Sequence, residues 1–331
     1  MAATTERISQ ATTTMFAAHL VAPGRMELAT APRPVPKPNE LLVRLEGCGV
    51  CASNLPPWEG KPWFNYPFAP GALGHEGWGR VEALGEEVTS FALGQRVALL
   101  SQHAYAQFDV APETAVVRLP ENLDSVPFPG EPPACALNIF RRSEIRSGQN
   151  VAIVGIGFLG ALLTQLASRA GARVLALSRR QFALDLARSM GAAELISLGE
   201  QSAVVEQVNR LTNGKLCEVV IEAVGKEAPL NLAAELTAER GRLVVAGYHQ
   251  DGLRQVNLQL WNWRGLDVIN AHERDPEIYR RGMEEAVEAV SSGRLNPTPL
   301  YTHRYPLSQL SAALNASRDR PDGFMKALVE L

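Results

Sequence analysis

The chain has little of what marks several specialised classes of protein. Its 331 residues carry a formal net charge of only −3, and no basic stripe with interleaved aromatic residues runs along them. Such a stripe is the electrostatic footprint of nucleic-acid binding, so the charge pattern argues against a nucleic-acid partner. No uninterrupted apolar run is long enough to span a membrane, and we expect no membrane contact.

Cysteine is also scarce. The chain has four cysteines: Cys48, Cys51, Cys135 and Cys217. Their spacing fits no disulfide framework, which favours a reducing compartment. Near the N-terminus, Glu6, Arg7 and Gln10 stand where a signal peptide needs its apolar centre. We therefore expect a cytoplasmic protein with a flexible tail over residues 1–13.

What is present is the composition and patterning of a globular protein with two domains. Short strands separated by Gly and Pro fill about the first 120 residues and predict an all-β, barrel-like unit. After a predicted helix at 131–142, strands and helices alternate, which predicts a doubly wound parallel sheet. The expected fold class is therefore α/β, with a β-barrel unit preceding the parallel sheet.

A glycine loop opens the alternating region, in the stretch VAIVGIGFLGALLTQLASRAGARVLALS. Its apolar strand ends at Gly155, and Gly157 and Gly160 follow before a helix-forming run and a second apolar strand. This spacing allows a tight turn, close approach of a pyrophosphate and close packing of the helix on the strand. Glycines also punctuate ordinary turns, but the complete strand–loop–helix–strand context predicts a dinucleotide site. We include the loop residues Phe158 and Leu159 in it.

The end of the second strand of this unit indicates which dinucleotide is bound. An NAD enzyme usually has an acidic residue there to bind the ribose 2′-hydroxyl. This chain has Ser178, Arg179 and Arg180 instead. Serine can hydrogen-bond a 2′-phosphate and arginine can pair with it, so NADP is favoured over NAD, with Ser178 and Arg179 as the discriminating pair. Arg180 could instead begin a helix and face solvent.

Residues that can bind a metal ion cluster in three segments: 47–54 (GCGVCASN), 74–77 (GHEG) and 130–133 (GEPP). Cys, His and Glu are all zinc ligands, and a catalytic zinc takes three protein ligands and keeps one position open. Each segment alone is unremarkable, because a cysteine after a strand usually belongs to the core. Together, and joined to a nucleotide-binding sheet, they carry more weight than any one of them does alone.

These motifs resemble the medium-chain dehydrogenase/reductase superfamily, in its zinc-dependent alcohol and polyol dehydrogenase branch. The resemblance starts near residue 14 and rests on GCGVCASN, GHEGWGRVEALG, EPPACALNIFRR, VVIEAVG, GRLVVAGY and PLYTHRYPL. It implies a GroES-like catalytic domain at 14–138, a Rossmann domain at 139–290, and a return to the catalytic domain at 291–331.

The resemblance also implies a ligand set for one catalytic zinc ion. Cys51 and His75 match the first two ligands of the family. Glu131 is the favoured third ligand, directly or through water, and Glu76 is the alternative. Cys135 is a weaker candidate, which could equally belong to the core of its helix.

Five further features of the sequence bear on this site. Ser53 matches the hydroxyl that begins the proton relay of relatives, although it could be a solvated turn serine. Asn54 replaces the usual aspartate that supports a ligand, and Pro56 replaces a relay histidine. Cys48 is assigned to structure, because no thioredoxin-like pattern surrounds the CxxC pair. The lobe that carries a structural zinc is missing, so one zinc ion per chain is expected.

The position of the substrate pocket in the family further suggests which residues of this chain line it. We expect it to combine aromatic residues of the 52–73 loop with later strand ends: Trp58, Trp63, Phe64, Tyr248 and Asn270. Tyr248 is also assigned to cofactor binding. His103, His249 and His272 are interpreted as surface or loop residues rather than catalysts.

The resulting hypothesis is a zinc-dependent oxidoreductase. It would transfer a hydride between a nicotinamide cofactor, with NADP favoured, and a secondary alcohol or polyol, or its carbonyl. Two alternatives stay open: a zinc-free quinone or enoyl reductase of the same superfamily, and a non-catalytic nucleotide-binding sensor. Relatives pair through the edge of the Rossmann sheet, here around residues 255–273, so a homodimer or homotetramer is expected.

Overall fold

A computed structural model of the chain describes residues 13–331. The flexible tail predicted for residues 1–13 lies outside this part, apart from Thr13. The strands of residues 13–331 are β1 Thr14–Ala22, β2 Arg25–Pro32, β3 Glu40–Gly49, β4 Gly77–Leu84, β5 Arg96–Leu99, β6 Phe108–Pro112, β7 Val116–Arg118, β8 Asn150–Val154, β9 Arg173–Ser178, β10 Glu194–Ser197, β11 Cys217–Glu222, β12 Thr237–Val245, β13 Asp267–Asn270, β14 His303–Pro306 and β15 Ala327–Glu330. The α-helices are α1 Leu55–Trp58, α2 Glu131–Ser143, α3 Phe158–Arg169, α4 Gln181–Ser189, α5 Gln201–Leu211, α6 Glu227–Leu236, α7 Leu258–Arg264, α8 Pro276–Ser291 and α9 Leu310–Asp319.

The first sheet has seven strands: six lie on one path, in the order β14-β15-β3-β4-β5-β7, and β6 pairs with β3 beside that path. Strand β3 is its centre, since it pairs with β4, β6 and β15. Leu41, Val43 and Leu45 alternate along β3 and are buried in the core of this sheet. The last two strands, β14 and β15, bring the end of the chain back to this sheet.

The second sheet is parallel throughout, in the order β10-β9-β8-β11-β12-β13. Its central strand β8 is apolar along its length, and Val151, Ala152, Ile153 and Val154 are fully buried, as expected of a strand covered on both faces. The strand order reverses at β8, whose neighbours are β9 and β11. Ligands of such sheets bind outside the carboxyl ends of the strands at this reversal.

A shared hydrophobic cluster fixes the two sheets relative to each other. Trp78 of β4 and Leu328 of β15 belong to the first sheet, whereas Ala134 of α2 and Met283 of α8 come from the helices beside the second. Because the cluster joins both units, the ends of β3 and β4 meet the glycine loop across one cleft. The predicted α/β class, a GroES-like unit plus a Rossmann-type sheet, is confirmed.

The segment 52–73 differs in part from the irregular loop predicted for it. It begins with a 3-10 turn at Ala52–Asn54 and the short helix α1. Pro56 and Pro57 lie in the first turn of α1, where the missing N–H costs nothing. Among residues 13–331, no helix combines the length and the apolar character that crossing a membrane requires.

Candidate active site

The glycine loop after β8 has the shape that its sequence predicts. Gly155 has φ +101°, and a Cβ there would lie 2.4 Å from Cγ2 of Val224. A Cβ on Gly160 would lie 2.2 Å from the carbonyl oxygen of Gly155, so only glycine lets α3 approach the loop. No heavy atom lies within 4 Å of a Cβ built on Gly157. The loop is therefore packed at Gly155 and Gly160 and open at Gly157, where a pyrophosphate would enter.

The two residues after Gly157 begin α3. The Phe158 ring stacks on Tyr301 with 5.7 Å between the ring centroids, and Leu159 packs against the core of the parallel sheet. The first turn of α3 has no acidic residue. The free N–H groups of this turn are thus available to an anionic ligand, with no carboxylate to compete.

A buried carboxylate braces the neighbouring loop after β11. Oε1 of Glu222 accepts hydrogen bonds from the backbone N–H groups of Val224 and Gly225, at 2.7 and 2.8 Å. Its Oε2 lies 2.9 Å from Nε2 of His249. His249 therefore helps to fix a loop, in keeping with its interpretation as a loop residue.

The residues at the end of β9 have distinct surroundings. Ser178 is buried, and its Oγ accepts a hydrogen bond from the backbone N–H of Arg180 at 3.2 Å, which leaves the hydroxyl proton available. Arg179 is exposed. Arg180 is the N-cap residue of α4 and is half-buried, and its Nη1 donates to the carbonyl oxygen of Phe324 at 2.6 Å.

Three candidate metal ligands converge where β3 ends and β4 begins. Cys48 of β3 pairs with Gly77 of β4, so antiparallel pairing brings the segments that follow β3 and precede β4 together. One ligand atom each of Cys51, His75 and Glu76 lies within 4.8 Å of the others. A thiol, an imidazole and a carboxylate at this spacing fit zinc.

A carbonyl group orients the imidazole of His75. Nδ1 of His75 lies 2.9 Å from the carbonyl oxygen of Leu73, which leaves Nε2 for a metal ion. Leu73 has φ +76°, a conformation that non-glycine residues rarely adopt. This unusual backbone turn directs its carbonyl group to the histidine.

Asn54 connects the two ligand segments, although it does not contact His75 itself. Its Nδ2 donates to the same Leu73 carbonyl at 2.9 Å. Its Oδ1 accepts from the backbone N–H of Cys51 at 3.1 Å and from the hydroxyl of Tyr105 at 2.8 Å. An aspartate could not donate to Leu73, so the asparagine amide has a role here that the family's usual residue lacks.

The negative groups around His75 stabilise its charged form. Burial lowers the pKa of His75, but the hydrogen bond and charge of Cys51, followed by the charges of Glu131 and Glu76, outweigh it and raise the pKa to about 10. This surplus of negative charge is what a divalent cation would neutralise.

Glu76 forms a buried ion pair with Lys326. Nζ of Lys326 donates to Oε1 of Glu76 at 2.7 Å and approaches Oε2 at 2.6 Å, but the second contact lacks hydrogen-bond geometry. Oε2 is thus a buried oxygen without a hydrogen bond. A Cβ on Gly49 would lie 1.8 Å from this oxygen, so the glycine makes room for the carboxylate. This oxygen has an ion-pair contact but no hydrogen bond, so a lone pair remains for a metal ion beside Cys51 and His75.

Glu131 lies at the start of α2, outside the 4.8 Å set of residues 13–331 but close enough for its charge to act on His75. Its Oε1 accepts a hydrogen bond from the Cys135 thiol at 3.0 Å, and that sulfur lies 3.3 Å from the hydroxyl of Tyr279 on α8. Burial raises the pKa of Glu131 and of Cys135. Cys135 therefore contacts the candidate ligand Glu131 and is more than a core residue of its helix.

The other predicted site residues lie at varying distance from this cluster. Ser53 is half-buried on the turn that follows Cys51. Tyr248 is 54% exposed, and its ring stacks on His272 at 5.5 Å. Trp58 does not line a pocket as predicted. It is buried in the core of the first sheet and donates to Oδ1 of Asn315 at 3.1 Å.

Sequence reasoning missed Lys326, Tyr105 and Tyr279. For Lys326 a signal existed, because a lone lysine precedes the apolar strand β15 and lysine is rarely buried unless it is paired. Lys326 also links the two halves of the site, since its Nζ lies 5.0 Å above the Phe158 ring at the start of α3. The candidate ligands and the glycine loop therefore face one cleft.

Comparisons with known proteins agree with this arrangement. Residues 37–121 match the family described as alcohol dehydrogenase GroES-like domain, and residues 159–289 match the family described as zinc-binding dehydrogenase. Sorbitol dehydrogenase from Halalkalibacterium halodurans is 26% identical over 88% of this chain and 92% of its own length.

Two solved structures are similar over nearly the whole chain. A zinc-binding dehydrogenase from Sinorhizobium meliloti, bound to NADP, is 26% identical with a TM-score of 0.84, and the match covers 97% of this chain and 100% of that one. A quinone oxidoreductase from Pseudomonas syringae is 24% identical with a TM-score of 0.81, over 96% and 100% of the two chains. At 24% identity, the similarity to the quinone oxidoreductase shows a shared fold and not a shared activity.

A GroES-like unit joined to a Rossmann-type sheet, with a candidate site in the cleft between them, defines an oxidoreductase of the alcohol dehydrogenase type that acts on a small molecule. The chain belongs to the medium-chain dehydrogenase/reductase superfamily, and its relatives include zinc-type alcohol and sorbitol dehydrogenases.

Proposed function

We propose that the protein is a zinc-dependent oxidoreductase that transfers a hydride between NADP and a secondary alcohol or polyol, or the corresponding carbonyl compound. The observation that carries the proposal is the convergence of Cys51, His75 and Glu76 within 4.8 Å, beside the start of the glycine-loop helix. The similarity to sorbitol dehydrogenases supports the substrate class.

One zinc ion per chain would be held by Cys51, His75 and a carboxylate. Among residues 13–331, Glu76 is the carboxylate whose oxygen lies within 4.8 Å of the Cys51 and His75 ligand atoms, and Glu131 would join directly or through water. When bound, zinc supplies Lewis-acid polarisation of the substrate oxygen, which favours the alkoxide near neutral pH. The zinc affinities of the Glu76→Gln and Glu131→Gln variants show which carboxylate binds the ion, because the variant that lacks the ligand has the lower affinity.

The chain's own residues position the reactants and move the proton. The half-buried Ser53 hydroxyl, two residues after Cys51, would accept the proton that the substrate hydroxyl loses while it donates its own proton onward to solvent. Cys135 and Tyr279 form the wall next to Glu131 and would contact the carbon chain of the substrate. The nicotinamide supplies the hydride chemistry itself.

The preference for NADP rests on the end of β9. Ser178 keeps a free hydroxyl proton, and Arg179 is exposed beside it. Both groups suit a 2′-phosphate, and no acidic residue stands there to repel it. The similar Sinorhizobium meliloti structure holds NADP, which supports the same choice.

A substrate panel tests the proposal. Secondary alcohols, polyols and ketones are assayed with NADP or NADPH, and with NAD or NADH, while bound zinc is measured in the same samples. We expect zinc-containing protein to turn over a member of this class faster with the phosphorylated cofactor. Active protein without zinc would favour a quinone or enoyl reductase instead. Tight NADPH binding with no turnover on the whole panel would favour a sensor.

A further inference from the structure

A third guanidinium group stands close to the end of β9, although it comes from the other end of the chain. Arg320 is the C-cap residue of α9, and its backbone N–H donates to the carbonyl oxygen of Ala316 at 2.8 Å. Its φ is +47°, in the left-handed region that favours glycine. The structure thus holds Arg320 in an uncommon conformation at the surface.

A direct contact brings the two regions together. Arg180 follows β9, and its Nη1 donates to the carbonyl oxygen of Phe324, four residues after Arg320, at 2.6 Å. Helix α9 itself packs against β14 and β15 of the first sheet. The segment that follows α9 and begins with Arg320 therefore lies beside the end of a Rossmann strand, although it belongs to the catalytic unit.

The charges at this point are not balanced. Partial burial and then the charge of Arg179 lower the pKa of Arg320, while burial and then the charge of Arg320 lower that of Arg180. Asp322 is the acidic residue that acts on Arg180. Within residues 13–331, neither Arg179 nor Arg320 forms an ion pair, since neither lies within 4.0 Å of a carboxylate oxygen.

A neighbouring arginine shows the contrast. Arg318, also on the last turn of α9, pairs with Asp319 through Nε at 2.7 Å and Nη2 at 3.1 Å. Gathering like charges without a partner is unfavourable unless a ligand of opposite charge binds between them. The exposed pair Arg179 and Arg320 thus has the chemistry of a site for a phosphate monoester, which guanidinium groups bind in a bidentate manner.

We propose that Arg320 is a further cofactor-binding residue, which binds the 2′-phosphate of NADP from the catalytic unit while Ser178 and Arg179 bind it from the Rossmann sheet. This inference rests on the proposed use of NADP. It adds that the 2′-phosphate joins the two units, so that the phosphorylated cofactor holds the cleft together in a way that NADH does not.

The test compares Arg320→Gln with Arg318→Gln, a matched substitution on the same helical turn. Dissociation constants are measured by fluorescence titration or calorimetry for NADPH and NADH, and for the fragments 2′,5′-ADP and 5′-AMP. We expect Arg320→Gln to weaken NADPH and 2′,5′-ADP by about tenfold or more, the loss of a charge-assisted contact, and to leave NADH and 5′-AMP within about twofold. Arg318→Gln should bind all four ligands as the unmodified protein does.

Two results would overturn the inference, and they are distinguishable. If the unmodified protein binds NADPH more tightly than NADH but Arg320→Gln weakens both equally or neither, Arg320 does not contact the 2′-phosphate, and the proposed cofactor stands. If the unmodified protein shows no preference for NADPH and 2′,5′-ADP, the proposed cofactor itself is wrong and the inference falls with it.

Discussion

At the scale of single residues, the candidate site depends on backbone groups as much as on side chains. The carbonyl of Leu73 receives both the amide of Asn54 and the imidazole of His75, at 2.9 Å each. Asn54 also accepts from the N–H of Cys51. One amide side chain therefore fixes the relative position of two candidate ligands, and the mutual orientation of ligands sets metal affinity.

Substituting Asn54 by aspartate tests this role. The new carboxylate would have the same shape, but it would face the Leu73 carbonyl as a second acceptor and release the orientation of His75. We expect zinc affinity, measured by competition with a chelator, to fall about 10–100-fold.

Asn315→Asp provides the matched control for this substitution. Oδ1 of Asn315 accepts a hydrogen bond from Trp58, and a carboxylate can accept it equally well. Its zinc affinity should not change. An Asn54→Asp variant that keeps full zinc affinity would show that the Leu73 carbonyl holds His75 without help.

The sequence could predict the candidate ligands of this site but not what holds them. Cys51, His75 and the glutamates belong to short motifs, and local spacing identifies them. The positive φ of Leu73 and the burial of Lys326 against Glu76 arise from tertiary packing, which the local spacing of residues does not reveal. For the same reason the sequence predicts a pocket position for Trp58, because the local sequence of a loop does not show whether its aromatic residue is buried in a core.

At the scale of elements, different glycines of the loop after β8 serve packing and cofactor binding. Gly160 is in contact with the Gly155 carbonyl, whereas Gly157 faces open space. The Gly160→Ala variant should lose about 1–3 kcal/mol of stability, because a methyl group is forced into a packed contact.

The Gly157→Ala variant should keep its melting temperature, since its φ of −98° suits alanine, and should lose dinucleotide affinity because the methyl group occupies the pyrophosphate position. Thermal denaturation and cofactor titration of both variants measure the two effects. Unchanged cofactor affinity in Gly157→Ala would place the dinucleotide elsewhere.

The end of strand β9 gives a second prediction at this scale. In Ser178→Asp, a carboxylate would repel a 2′-phosphate and accept a hydrogen bond from a ribose hydroxyl. We expect the ratio of kcat/KM for NADP to that for NAD to fall by about tenfold or more, which corresponds to about 1.4 kcal/mol. An unchanged ratio would refute the role given to this strand end.

Among the elements, those with long apolar runs are the ones that the sequence predicts best. Strands β8, β9 and β11 carry such runs, and the helices between them carry an apolar face. The first half of β12, TAERG, is mostly polar and gives no such signal, and only its end, LVV, reads as a strand. Strand β14, HRYP, was not predicted, because four residues that end in proline show no alternation. Only its pairing with β15 makes it a strand.

At the scale of the whole molecule, the β13 edge of the parallel sheet lies beside exposed apolar side chains. Among residues 13–331, strand β13 has a neighbour on one side only, and Leu258 and Trp263 of the adjoining α7 are 65% and 85% exposed. Apolar side chains beside an unpaired strand edge suit a contact between two copies of the chain. We therefore keep the prediction of a homodimer or homotetramer formed through residues 255–273.

Trp263→Asp tests this prediction. A carboxylate in an apolar contact is unfavourable, so we expect light scattering to show dissociation to smaller species. Val35→Asp is the control, because Val35 is 84% exposed but lies away from this edge, in the segment after β2. An unchanged mass for Trp263→Asp, or a monomeric unmodified protein, would contradict the predicted contact.

If bound zinc makes this fold an alcohol dehydrogenase, as proposed, turnover must follow the metal content, and a metal titration measures that dependence. Turnover of the best alcohol or ketone of the panel is measured after zinc is removed and then returned in known amounts, beside a Cys51→Ser variant shown to be folded by circular dichroism. We predict that turnover is lost without zinc, returns fully at one equivalent per chain, and never returns in Cys51→Ser. Full turnover in the zinc-free protein, or in folded Cys51→Ser, would show that the activity does not depend on zinc bound at this site.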